Sequence, residues 1–198
     1  MSIKVGIFGG TFNPPHIGHI VAAEKFAAQM ELDKLIIMPS FIPPHKVYNS
    51  DVTTSDRYEM CKLAFSHIDN VEVSDIEILR GGTSYTYLTL EELSEENVDL
   101  YFLCGTDMIL TLDTWKYPEI IFEKASICYI RRETDIDNNT LISQKCEEYA
   151  RKYGAKIYRI DSDAIDISSS EIRIADKMNT VYLTEEVKEY IAKKGLYK

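Results

Sequence analysis

Two hydrophobic patterns alternate along the chain. Short apolar stretches occur at residues 3–8, 35–38, 71–73, 99–103, 127–130 and 156–160. Runs this short, rich in β-branched residues and stopped by Gly, Pro or polar clusters, predict buried strands. Between them, apolar residues recur at helical spacing. Ile17, Ile20, Val21, Ala23, Phe26, Ala27 and Met30 place a helix at 17–30. Further helices are predicted at 56–67, 86–96, 141–153, 169–175 and 185–194. The last carries Glu185 and Glu186 in its first turn, Lys193 and Lys194 in its last, and Gly195 just beyond, in the order the helix dipole favours. Residues 75–79 extend or follow the third strand, and residues 41–54 read as a long loop. Strands separated by crossover-length helices argue for an α/β, Rossmann-like, doubly wound and mostly parallel sheet with helices on both faces.

The chain of 198 residues suits a single domain spanning 1–198, with a small helical C-terminal part from about residue 165. Forty-five per cent hydrophobic residues suffice for a core without staples. The net charge of −10 disfavours nucleic acid as a partner but leaves room for a locally basic pocket that takes a small anion. Met1-Ser2-Ile3-Lys4 runs directly into a strand, and no apolar run approaches ~20 residues. The expectation is a cytoplasmic protein without signal peptide or membrane span; an oligomer is left open. No C-x-x-C pattern exists among Cys61, Cys104, Cys128 and Cys146. Cys104 and Cys128 fall in strands and read as core residues, whereas Cys61 and Cys146 read as surface thiols without a role.

In open sheets of this kind ligands bind beyond the carboxyl ends of the strands. The richest segment there is Gly9-Gly10-Thr11-Phe12-Asn13-Pro14-Pro15-His16-Ile17-Gly18-His19. Glycines let backbone approach a ligand, and a helix start is a ready phosphate seat. His16 and His19, three apart, share a face and can donate to charge that builds up during phosphoryl attack. Neither a Walker A loop nor a G-x-G-x-x-G fingerprint is present. A metal pair would lack an evident third ligand, so no metal site is assigned.

The H-x-G-H after a Gly-Gly-x-Phe strand exit resembles the nucleotidylyltransferase superfamily. Ile167-Ser168-Ser169-Ser170-Glu171-Ile172-Arg173 is similar to that family's second signature, I-S-S-x-x-I-R. Taken alone, the serines could equally be helix caps. Three more segments narrow the resemblance to the nicotinate-nucleotide adenylyltransferases: Pro43-Pro44-His45-Lys46, Ser84-Tyr85-Thr86 preceded by Arg80, and Gly105-Thr106-Asp107-Met108 with Trp115. Asp56-Arg57-Tyr58-Glu59-Met60 resembles a family helix start and reads as structural, with Asp56 capping and Met60 packing. Thr83 and Leu88 depart from the family pattern around S-Y-T, where proline and aspartate are usual.

The resemblance implies adenylyl transfer from ATP to nicotinate mononucleotide with Mg²⁺. It implies His16, His19 and Arg173 as catalytic residues. With these, Gly9, Gly10, Thr11, Phe12, Gly105, Asp107, Ser169 and Ser170 would face ATP. Asn13, His45, Lys46, Ser84, Tyr85, Thr86, Trp115 and Lys116 would face the mononucleotide, with Trp115 stacking on the pyridine ring. A class I tRNA synthetase also carries H-x-G-H, but this chain is too short for an anticodon-binding domain, and Lys177-Met178 only begins that family's lysine-rich loop. Pantetheine-phosphate adenylyltransferase does not suit the Trp115 and S-Y-T segments. Nicotinamide mononucleotide is the rival acceptor, and a non-catalytic nucleotide-binding module is the alternative of another class.

Overall fold

The structure, a computed structural model, describes residues 2–44, 51–130, 139–162, 167–173 and 181–197. Its frame is a six-stranded sheet: β1 (Ile3–Gly10), β2 (Lys34–Pro39), β3 (Val71–Val73), β4 (Val98–Gly105), β5 (Ala125–Ile130) and β6 (Ile157–Ile160). The spatial order is β3-β2-β1-β4-β5-β6, and every pairing is parallel. Parallel neighbours need crossovers, and helices supply them. Between strands lie α1 (Ile17–Met30), α2 (Thr54–Ala64), α3 (Ile76–Arg80), α4 (Thr86–Leu93), α5 (Thr106–Ile109), α6 (Pro118–Lys124) and α7 (Asn139–Tyr153); α8 (Ser169–Ile172) and α9 (Glu185–Lys194) follow β6.

The strands alternate side chains between two cores. Leu35 and Ile37 of β2 face one layer with Leu103 of β4, while Ile36, Met38, Leu100, Phe102 and Cys104 face the other. The first layer is closed by Ala23 and Phe26 of α1, Met60 and Cys61 of α2, and Val187 and Ile191 of α9. The second is closed by Leu90 of α4, Ile109 of α5, Ile121 and Phe122 of α6, and Ile142 and Tyr149 of α7. Covering both faces explains why the strands read as continuous apolar runs.

Some boundaries differ from those expected. β1 and β4 run on through Gly10 and Gly105, because ladder bonding to β2 and β5 continues past the apolar residues. Residues 75–79 are no strand extension: they turn into α3. α4 stops at Leu93, short of 96, and α6 was not expected at all; Pro118 at its first turn starts it. Asp56 does not cap α2. Thr53 is the N-cap, its Oγ1 accepting from the Asp56 N–H at 3.1 Å, while Asp56 Oδ2 accepts from the Thr53 N–H, a reciprocal capping box. Cys61 is no surface thiol; it is wholly buried beside Met60, and burial pushes its thiol up. Cys104 and Cys128 are buried as expected, the latter's thiol pushed up to about 12 by burial. Cys146 is partly buried. Among the described residues no helix is long and apolar enough to cross a membrane.

Candidate active site

Strand order reverses between β1 and β4, the position at which doubly wound sheets open a crevice. A cavity of about 830 Å³ occupies it. Its floor is the end of β1, where Gly9, Gly10, Thr11, Phe12 and Asn13 line it, and the end of β4, where Gly105 and Asp107 do. His16 and His19 line it from the start of α1, Ser169 and Ser170 from α8 and Arg173 from its C-cap, and Ser84, Thr86 and Trp115 from the far side. Tyr85 and Lys116 are not among the lining residues; the Lys116 ammonium lies 4.7 Å from the Tyr85 ring centroid instead. His45 and Lys46 lie outside the described residues.

The histidine pair is built by helix capping. His16 is the N-cap of α1 in extended conformation, and His19 is the third residue inside. The His16 backbone N–H donates to His19 Nδ1 at 3.2 Å, and the ring centroids stand 3.6 Å apart. With Nδ1 accepting, a neutral His19 carries its proton on Nε2 as a donor. His16 is only 5% exposed. Phe12, expected at ATP, also packs: its ring meets His19 edge-on at 5.0 Å and Phe65 at 6.0 Å. That packing explains Gly10, since a Cβ there would lie 2.9 Å from the Phe12 ring. Glycine at this position thus makes room for a supporting aromatic while still lining the cavity.

The serine-rich motif divides its labour. Ser168 is the cap, its Oγ accepting from the Glu171 N–H at 3.2 Å while Glu171 Oε2 accepts from the Ser168 N–H. Ser169 and Ser170 are therefore spared from capping. Ser169 Oγ donates to the Pro14 carbonyl at 2.8 Å, and Arg173 donates to the Asn13 carbonyl at 2.6 Å and to Ser170 Oγ at 3.0 Å. These bonds fasten the two motifs together across more than 150 residues.

The opposite wall is anchored separately. Ile42 and Thr83 form an isolated bridge, and Ser84 Oγ accepts from the Phe41 N–H at 2.9 Å, so the S-Y-T segment is tied to the loop after β2. Trp115 meets Phe102 edge-on at 6.2 Å. Two residues earlier, Asp113 accepts from the buried Tyr149 hydroxyl at 2.9 Å and from Lys145 at 3.0 Å. Burial alone would raise the Asp113 carboxyl, but the hydrogen bonds from Lys145 and Tyr149 outweigh it and hold the group below its ordinary value. Asp107 does not cap a helix. It stands inside α5, its carboxylate lying over Gly105, where a Cβ would come within 2.6 Å of Oδ1.

Three contributors are not among the site residues that the sequence suggests, although Arg57 belongs to a segment that reads as structural. Arg57 is fully buried and donates to the carbonyls of Thr11 at 2.7 Å and Ser40 at 2.6 Å, joining the loops after β1 and β2. A signal existed: Arg57, Met60, Cys61 and Ala64 share one helix face, and the other three are apolar. Glu77 lines the cavity, buried, and accepts from Thr89 Oγ1 at 2.6 Å, which in turn accepts from Arg80 at 2.8 Å. Tyr197, near the end of the chain, lines the cavity too.

Comparison with known proteins agrees with this geometry. A family model described as cytidylyltransferase-like matches residues 7–175. The probable nicotinate-nucleotide adenylyltransferase of Caldicellulosiruptor saccharolyticus is 40% identical over 99% of this chain and 100% of its own length. That of Clostridium tetani is 36% identical, covering 98% and 99%. In fold, the chain is similar to Plasmodium falciparum nicotinic acid mononucleotide adenylyltransferase complexed with NaAD, at TM-score 0.75 and 20% identity over 98% of this chain and 97% of that one. With its H-x-G-H and S-S-x-x-I-R motifs meeting on one cavity, the chain belongs to the cytidylyltransferase-like family and, within it, to the nicotinate-nucleotide adenylyltransferases.

Proposed function

We propose that the protein transfers the adenylyl group of ATP to nicotinate mononucleotide, giving nicotinate adenine dinucleotide and pyrophosphate. The observation that carries this reading is the junction of His16 and His19 with Ser169, Ser170 and Arg173 on one cavity, with Trp115 also lining it. A phosphate oxygen of the mononucleotide forms the new bond to the α-phosphorus. The bond from that phosphorus to the bridging oxygen breaks, and its electrons leave with pyrophosphate. The nucleophile is already an anion, so positioning and charge stabilisation are what the protein has to supply.

In this reading His16, His19 and Thr11 hold the ATP phosphates. Ser169, Ser170 and Arg173 receive the leaving pyrophosphate, with Arg173 contributing a fork of donors. Gly105 and Asp107 belong to the adenosine side. Asn13, His45, Ser84, Thr86 and Trp115 belong to the acceptor, with Lys46 proposed to help counter its phosphate. Among the described residues no group of three or more His, Cys, Asp or Glu side chains is placed to hold a metal ion. Because magnesium rarely takes a full protein cage, Mg²⁺ is proposed to ride on the nucleotide phosphates and water, where it would neutralise their charge. The chain is proposed to work as one domain, the part after about residue 165 completing the site.

The test is pyrophosphate release from ATP and Mg²⁺ with nicotinate or nicotinamide mononucleotide, the dinucleotide being identified by mass. Turnover with the acid and little with the amide is expected. Equal turnover would remove the acid preference, and ATP binding without turnover on either would favour a binding module.

A further inference from the structure

Helix α9 ends at Gly195, whose φ of 65° is left-handed and suits glycine. The Leu196 N–H donates back to the Ile191 carbonyl at 3.1 Å, so the chain reverses. Leu196 and Tyr197 then fold onto the core layer that also holds α1 and α2. Tyr197 is itself left-handed at φ 60°, an uncommon state for a tyrosine that its surroundings must hold. Its hydroxyl donates to Asn13 Oδ1 at 2.6 Å, across 184 residues.

Asn13 is only 6% exposed, and both residues line the cavity. The same residue gives its backbone carbonyl to Arg173, and the next gives its carbonyl to Ser169. Two separate C-terminal segments therefore converge on Asn13-Pro14. α8 grips the backbone, and Tyr197 grips the side chain. An amide has one acceptor end and one donor end, so assigning Oδ1 to a tyrosyl hydroxyl also fixes where the donor end lies.

We propose that Tyr197 is a positioning residue of the adenylyl-transfer site, holding the Asn13 amide in the orientation in which it meets the acceptor mononucleotide. This rests on the function proposed above. Mere tail packing would involve the ring and not the hydroxyl, so Tyr197→Phe separates the two. In the full-length protein that variant raises the acceptor KM about tenfold, as expected for a lost, partly buried hydrogen bond, and changes the ATP KM less than about twofold. Asn13→Ala has a similar effect, and the double variant is no worse than either single one, because the two act as one unit. An unchanged acceptor KM in Tyr197→Phe, or effects that multiply in the double variant, overturns the proposal.

Parental turnover, run alongside, reports separately on the function reading. A readout independent of turnover is the pair of Asn13 side-chain amide resonances in the ¹⁵N-labelled full-length protein. They shift on Tyr197→Phe if the hydroxyl orients the amide, and unmoved resonances overturn the proposal whatever the acceptor proves to be.

Discussion

Arg173 reaches 160 residues back along the chain to donate, at 2.6 Å, to the carbonyl of Asn13. Its other arm donates to Ser170 Oγ, so the guanidinium both closes the loop after β1 and orients a serine at the cavity wall. Replacing it with alanine should lower kcat/KM at least ~100-fold, the scale of a lost transition-state donor. Lysine should rescue little, since an ammonium on one stem lacks the planar fork that spans both acceptors. Steady-state kinetics of the two variants checks this, and near-parental activity in Arg173→Lys would contradict it.

His19→Ala should lower turnover by about two orders of magnitude or more while the fold persists. His19 is only partly buried and sits on the first turn of α1, so its loss leaves the core intact. Turnover and thermal melting measured on the same preparation decide the matter. Near-normal turnover removes His19 from the mechanism.

Arg57→Met should cost stability more than chemistry. The Thr11 and Ser40 carbonyls lose their buried donors, at about 3 kcal/mol together. In a chain of this size that lowers Tm by roughly 6–12 °C. Calorimetry gives the answer, and an unchanged Tm would mean that the two loops hold their places without the guanidinium.

Trp115→Ala should raise the KM for the mononucleotide about tenfold or more and leave the ATP KM nearly unaltered, with phenylalanine recovering part of the loss. Equal changes in both constants would show a disordered site rather than a lost stacking platform.

Acid should destabilise the fold through two carboxylates. Burial would raise Asp56, but hydrogen bonds from Thr53 and Tyr190 outweigh it and lower it; Asp113 is lowered in the same sense by Lys145 and Tyr149. A depressed carboxylate stabilises the folded state above its unfolded value, near 3.8, and that stability is lost as pH falls through and below it. Melting temperature against pH should drop below about pH 4, and less steeply in Asp56→Asn. Parallel acid limbs in parent and variant would exclude Asp56 as a contributor.

The strands and most helices are legible in the sequence, because a sheet buried on both faces must be written as short apolar runs and its crossovers as amphipathic stripes. The Gly9–His19 and Ser168–Arg173 segments are legible too, because their residue types are local requirements of a strand exit and two helix starts. Tertiary structure alone decided what those segments touch. That Ser169 reaches Pro14, that Arg57 donates to Thr11 and Ser40 in particular, and that Tyr197 closes on Asn13 depend on contacts between residues far apart in the chain. No periodicity records such contacts. They arise only when the parallel crossovers bring the ends of β1, β2 and β4 and the last helix to one side of the sheet.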